Sequence, residues 1–253
     1  MSCRVQILFM QADKKEILSR LKIEILPLGG LKSIRSGCDL DLGLGPVNDS
    51  FPQGHFPLGA VHEFISHEPE SATASLGFIA GLVGGLMKMG GAVIWISSSK
   101  HIFPPSLKMF GIEPSRIIFI QLQNEKDLLW SMEEALKCSG LAAVVGEIPE
   151  LSFTTSRRFQ LAVEQSRVTG FVLRSNPRNL NANALVSRWR IQSLPSEFYD
   201  ELPGIGFPRW NVELLKIRNG KPGSWQLEWA EESFRQVFDT IPSIIADFER
   251  KTG

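Results

Sequence analysis

Residues 66–75 read Ser66-His67-Glu68-Pro69-Glu70-Ser71-Ala72-Thr73-Ala74-Ser75, SHEPESATAS, between an apolar run at 59–65, GAVHEFI, and a helical run at 76–89, LGFIAGLVGGLMKM. A strand, a short loop and a helix in this order are where a phosphate-binding loop belongs. Such a loop needs glycines so that backbone N–H groups can wrap the phosphates, a lysine for their charge and a hydroxyl for magnesium, spaced GxxxxGK and then Ser or Thr. Laid on 68–75, that template puts Glu68 at the first glycine, Thr73 at the second and Ala74 at the lysine; only the hydroxyl survives, at Ser75. Pro69, Glu70, Ser71 and Ala72 fill the interval without a glycine or a positive charge. Glu68 and Glu70 add negative charge where a triphosphate has to lie. Nucleotide hydrolysis here is not expected, and no cofactor is predicted.

Around this stretch the chain alternates short apolar runs with longer helical ones, the pattern of βα units on a parallel sheet. Strands are predicted at 61–66, 92–97, 117–122, 141–145 and 170–174, and helices at 74–89, 105–110, 125–138 and 154–166. Before them, 10–28 has a mixed charged and apolar helical pattern that stops near Pro27, and 29–57 is a Gly-, Pro- and Ser-rich connector. After them come antiparallel strands, RWRIQSL at 188–194 and a hairpin, RWNVELLKIR and SWQLEW, turning at Asn219-Gly220-Lys221-Pro222-Gly223. The tail from 231 mixes charged and apolar residues as a surface helix or extension does. This divides the chain into an N-terminal helix and connector (1–40), an α/β core (41–230) and a C-terminal tail (231–253).

The 253 residues are 43% hydrophobic and 21% charged, enough for one substantial core. Lys and Arg number 27 and so do Asp and Glu, so bulk charge draws the chain neither to nucleic acid nor to an acidic partner. Three cysteines with no paired spacing, Cys3, Cys38 and Cys138, fit reduced thiols in the cytoplasm. No signal-peptide cleavage site and no membrane span are predicted.

Other motifs are weaker. HEFISH at 62–67 places its histidines five apart on a strand, whereas a zinc helix needs them four apart, so no metal site is expected. Ser97, Ser98 and Ser99 beside Lys100 and His101 lack a nucleophile elbow and read as turn or cap residues. Arg157 and Arg158 follow Thr154, Thr155 and Ser156, any of which suits a helix N-cap. A pair of arginines there opposes the helix dipole and needs an acidic side chain or an anion. The polar loop 174–187, with Arg174 and Arg178, follows a strand where parallel sheets bind their ligands.

Together these elements resemble the RecA-type core, and more closely the ImuA family of bacterial error-prone repair proteins. The entry stretch GLGPVNDSFPQGHFPLGAVHEF (43–64) and PES at 69–71 match the RecA approach to its phosphate loop. PPSL (104–107), FGIxPxR (110–116), DLLWxMEEAL (127–136), TSRRFQLAVE (155–164), RWRI (188–191) and PRWxVELLxxRxGxPGxW (208–225) are ImuA-like. The resemblance spans about 40–230. It implies a RecA-like fold with a mainly parallel sheet flanked by helices, closed by a C-terminal antiparallel hairpin and preceded by a helical arm.

The resemblance also implies that three chemical roles are missing: the phosphate lysine falls at Ala74, the catalytic glutamate at Ser99 and the magnesium-side aspartate at Gly146, with Glu147 one residue beyond. The loop 174–187 takes the place of RecA's second DNA loop, without aromatic residues. The implied function is non-catalytic: an adaptor in damage-induced mutagenic translesion synthesis, part of the SOS response. Its implied partners are ImuB, a Y-family polymerase homologue, an alternative DNA polymerase III alpha subunit and, in addition, RecA, with indirect DNA contact and no membrane. Arg157, Arg158, Arg174, Arg178 and Trp210 are candidate partner or DNA contacts. Trp189, Trp210, Trp225 and Trp229 offer a partner surface, although Trp225 and Trp229 alternate as core residues do. Two alternatives stand beside this reading: a SulA-type division inhibitor that binds FtsZ, and a vestigial ATPase using Ser75, Glu147 and Arg174.

Overall fold

The computed structural model describes residues 7–9, 40–98, 102–196 and 206–237. They form one ten-stranded sheet, of strands β1 (Ile7–Phe9), β2 (Val61–Ser66), β3 (Ala92–Ser97), β4 (Ile117–Gln121), β5 (Leu141–Glu147), β6 (Thr169–Ser175), β7 (Ser187–Leu194), β8 (Arg209–Ile217), β9 (Gly223–Ala230) and β10 (Ser233–Gln236). The spatial order is β1-β4-β3-β5-β6-β2-β7-β8-β9-β10. Pairing is parallel from β1 to β7 and antiparallel from β7 to β10. β2 and β3 are buried at every position, as strands covered on both faces must be.

Three α-helices cover the sheet: α1 (Pro69–Met87), α2 (Glu125–Leu136) and α3 (Phe153–Ser166). α1 lies over one core, with Phe64, Phe78, Trp95 and Trp189, while α2 and α3 close the other, with Ile94, Met132, Phe159 and Val172. The segment predicted as a helix at 105–110 is a 3-10 helix, Pro104–Phe110, ended by Gly111 in the left-handed region at φ 71°. The helix predicted at 10–28 lies outside the described residues. The tail differs from its predicted surface helix in its first residues, because Ser233–Gln236 joins the sheet as β10 against β9. From 238 onward it lies outside the described residues.

α1 is apolar on every side, and two thirds of its apolar window is buried. It is long and apolar enough to cross a membrane, yet here it is a core helix wrapped by other elements. Four glycines make the wrapping possible. A methyl group on Gly77 would stand 3.2 Å from the Trp210 ring, one on Gly81 2.6 Å from Phe234 and 2.9 Å from Trp229, and one on Gly85 2.6 Å from Leu42. On Gly84 it would run into the carbonyl oxygen of Phe110. The antiparallel end of the sheet therefore packs its aromatic residues against bare helix backbone. Phe234 lies 4.9 Å from Phe78 and 4.8 Å from Trp229, centroid to centroid.

Helix propensity alone favours alanine over glycine by about 1 kcal/mol in a helix interior. Overpacking against backbone costs about 1–3 kcal/mol, and at Gly84 it wins. Gly84→Ala is expected to lower stability, with Tm falling by roughly 2–4 °C per kcal/mol lost. Gly140→Ala, with no atom within 4 Å of the added methyl, serves as the control in the same thermal melts. A stabilised Gly84→Ala protein would contradict this packing.

His62 is fully buried on β2, its ring tilted against Phe56 at 4.3 Å, with Nδ1 2.6 Å from Ser187 Oγ and Nε2 2.8 Å from the Pro57 carbonyl oxygen. Burial pushes its pKa down from 6.5 to about 4, against the Pro57 hydrogen bond, which raises it. As pH falls below 6.5 the unfolded chain takes up a proton that the folded chain refuses until about 4. Stability should therefore drop across that window, by on the order of 3 kcal/mol. Urea unfolding at pH 7.5 and pH 5 should show the drop in the parent chain and a smaller one in His62→Gln.

Candidate functional site

At the carboxyl end of the sheet, β2 stops at Ser66 and α1 starts at Pro69, so only His67 and Glu68 connect them. The helix begins five residues earlier than its apolar periodicity predicts. Pro69 sits in the first turn, where its missing N–H is not needed, and Glu68 is the N-cap residue through its backbone, Ala72 N–H donating to Glu68 O at 3.0 Å. Thr73 Oγ1 donates back to Pro69 O at 3.1 Å, inside the helix. Glu68 and Glu70 are exposed at the helix N-terminus, the end that attracts anions, so carboxylates stand where phosphate would.

Ser75, aligned with the magnesium hydroxyl, lies six residues along α1, about 9 Å from its start. It faces the core with no exposed surface. Ala74 and Ser71 are also buried. On β5, a methyl group on Gly146 would lie 2.8 Å from Met132 Sδ and 3.3 Å from Ile148, so the position has no room for an aspartate. Glu147 accepts from Trp95 Nε1 at 3.1 Å. Ser99 lies outside the described residues. Among the described residues no group of three His, Cys, Asp or Glu is placed to hold a metal ion.

The arginine candidates separate. Arg174, 1% exposed, is not available to a partner: Nη1 donates to Glu63 Oε1 at 2.8 Å, Nη2 to Glu150 Oε2 at 3.3 Å and to Asn179 O at 3.0 Å, and Nε to Pro149 O at 3.2 Å. Glu63, itself fully buried, also accepts from Arg188 Nε at 2.5 Å and Asn183 Nδ2 at 2.7 Å. Arg188 Nη2 reaches Asn181 O, and Lys216 Nζ reaches Asn183 O at 3.1 Å. One buried carboxylate thus ties down the loop 176–186 at Asn179, Asn181 and Asn183, directly or through its two arginines, within the stretch 174–187 that reads from sequence as a ligand loop. Arg178 is exposed, with its backbone N–H held by Glu150 Oε1 at 3.0 Å.

On α3 the N-cap is Ser152, whose Oγ accepts from Thr155 N–H at 3.0 Å, two residues before the earliest predicted cap. Arg157 and Arg158 consequently fall beyond the first turn. Arg158 pairs with Glu133 of α2, the acidic partner its position demands. Arg157 is exposed. Trp210 is 3% exposed and meets Phe78 edge-on at 5.8 Å, so it is a core residue and not a partner anchor. Trp189 and Trp229 are buried likewise, and Trp225 is half-buried against the same core.

Sequence reading missed a cleft of about 620 Å³ between α1, the 3-10 helix Pro104–Phe110 and the start of β8, with Gly77, Trp95, Phe103, Met109, Phe207 and Trp210 on its walls. No motif marks it, because its walls come from segments as far apart in the chain as Glu70 and Trp210.

A mainly parallel sheet covered by helices on both faces, whose antiparallel end closes over its first helix, is a RecA-like fold. The crystal structure of the RadB recombinase matches it with a TM-score of 0.55 at 16% identity, over 79% of this chain and all of that one. Protein ImuA of Caulobacter vibrioides is 36% identical over 204 residues, covering 76% of this chain and 84% of that protein. The chain belongs to the ImuA family. The cell division inhibitor SulA of Yersinia pestis is 25% identical over 130 residues, covering 51% of this chain and 76% of SulA. No known protein-family profile matches the chain.

Replacing Glu63 by Gln leaves the buried Arg174 and the partly buried Arg188 without their shared counter-charge, which should cost about 3–5 kcal/mol. Glu150→Gln should cost far less, since Glu150 is 38% exposed. Urea unfolding gives both values. Hydrogen exchange across 176–186 should accelerate in Glu63→Gln, and unchanged exchange would contradict the organising role of that carboxylate.

Proposed function

We propose that this chain is a non-catalytic RecA-like accessory protein of damage-induced mutagenic translesion synthesis. It acts in the cytoplasm as an adaptor between an ImuB-like Y-family polymerase homologue and an alternative DNA polymerase III alpha subunit, with RecA as a further partner and DNA contacted through them. The observation that carries the loss of nucleotide chemistry is the two-residue connection between β2 and α1, without glycine or lysine and flanked by Glu68 and Glu70. Backbone N–H groups cannot wrap a triphosphate there, and the charge present repels one. Membership in the ImuA family supports the mutagenic role, and the exposed Arg157 and Arg178 remain for partner contact.

Titration calorimetry with millimolar ATP and magnesium is expected to show no binding; saturable binding would retire the non-catalytic reading. Tagged protein recovered from its own cells after DNA damage should bring with it the polymerase homologue and the alternative alpha subunit. The SulA similarity supports a second reading, a division inhibitor, over about half of the chain. Recovery of FtsZ without either polymerase would favour that reading over the adaptor.

A further inference from the structure

The large apolar side chains exposed among the described residues fall into two groups. Phe103, Met109 and Phe207 line the cleft beside α1. Phe153 at 59% and Leu161 at 46% on α3, with Leu180 at 43% in the loop 176–186, make up the other. The loop is fastened to the start of α3: Arg178 N–H donates to Glu150 Oε1 at 3.0 Å, three residues before Phe153, and Ala184 N–H donates to Ser156 Oγ at 3.0 Å.

On α3, Phe153, Arg157 and Leu161 follow one another at four-residue intervals, within an arc of about 80° and over about 12 Å of helix. Ser156, Phe159 and Val163 turn inward and are buried, so the stripe is the outer face of the helix. Ser156 lies about 60° round the helix from Phe153, so the loop it holds borders the stripe on the Phe153 side.

The charges of this face are unmatched. Arg158 pairs with Glu133 and Arg174 with Glu63. The guanidiniums of Arg157 and Arg178, both exposed, meet no partner among the described residues. Glu150 is already engaged by Arg174 Nη2 and by the Arg178 backbone. Glu164 is exposed seven residues beyond Arg157, about 10 Å further along the axis. The end of the stripe next to the loop is therefore the positive one. Nor does α3 carry an acidic residue in its first turn.

We propose that the outer face of α3 and the loop 176–182 dock an acidic amphipathic segment of a partner protein. Its apolar residues would cover Phe153, Leu161 and Leu180, and its carboxylates would meet Arg157 and Arg178. The proposal rests on the adaptor reading, which needs a partner surface, and adds its place and its chemistry. Single-stranded nucleic acid suits this face less well. It calls for several rings to stack on and a positive groove along its backbone; here one ring, Phe153, stands with two leucines and two open arginines.

The test uses the full chain and, as probe, a phage library of random peptides of about 15 residues, long enough for four helical turns. Selected peptides should carry Asp or Glu among apolar residues at three- and four-residue spacing. In fluorescence anisotropy they should bind the Arg157→Glu, Arg178→Glu variant and the Phe153→Ser, Leu161→Ser variant at least about tenfold more weakly than the parent chain. Lys88→Glu with Lys221→Glu, the same charge change on exposed lysines elsewhere, should bind them as the parent does. Selected peptides without acidic residues, equal binding to the parent and the first two variants, or no selected binder overturns the proposal. So does an oligothymidylate of about 20 nucleotides that binds the parent and not Arg157→Glu, Arg178→Glu, which makes the face a nucleic-acid surface. The substituted side chains are exposed, so thermal melts of the variants should match the parent's. If the charge-reversed chain melts early, Arg157→Gln with Arg178→Gln replaces it, since the described contact of Arg178 is made by its backbone. The adaptor reading fails separately, when the tagged chain recovers neither polymerase from damaged cells while the selected peptides still bind.

Discussion

Close approach of the antiparallel half of the sheet to the bare backbone of α1 is the contact on which the remaining architecture depends. Gly77, Gly81, Gly84 and Gly85 give up side chains that would each have brought helix stability, and in return Trp210, Trp229, Phe234, the Phe110 carbonyl and Leu42 reach the helix axis. A helix apolar on every side needs a covering on every side. The parallel strands provide only one, and β8 to β10 with the 3-10 helix Pro104–Phe110 supply the others. The tryptophans that would serve a partner as exposed anchors are drawn into this closure.

The same helix shapes the carboxyl end of the sheet. Starting α1 at Pro69 leaves a connection of two residues after β2 and carries Ser75 into the core. The dipole at that end, which attracts phosphate when backbone N–H groups are open, faces Glu68 and Glu70 instead. Beside it, Glu63 binds two arginines and an asparagine in the interior, and the loop after β6 becomes a fixed piece of structure. Such a buried network costs desolvation and is tolerable because each guanidinium and both carboxylate oxygens are matched. The carboxyl end of the sheet keeps its shape while its polar groups are committed to one another.

Much of this was legible in the sequence, for identifiable reasons. Strands buried on both faces are continuous apolar runs, and the predicted bounds 61–66 and 92–97 match β2 and β3 residue for residue. The missing glycines and lysine are facts of composition at fixed spacing. The errors arose where local pattern and tertiary context differ. Apolar periodicity puts the start of α1 late because 69–73 is polar, although Pro69 marks a first turn. The cap of α3 was placed late among several hydroxyls that all suit it, when Ser152 alone has the N–H of Thr155 in reach.

The sequence by itself determined the alternation of strands and helices, the lack of the phosphate-loop glycines and lysine at 68–75 and the resemblance to the ImuA family, since all three are written in residue type and short-range spacing. Only the tertiary structure decided that Arg174 and Trp210 are interior, that Glu63 is the centre of a polar network, and that α1, the 3-10 helix and β8 enclose a cleft. Those properties depend on pairing β2 with β6 and β7 and on curling β8 to β10 over α1, contacts between residues as distant in the chain as Gly81 and Phe234. A side chain's charge and shape are local, whereas its burial and its partners are set by what the fold brings to it.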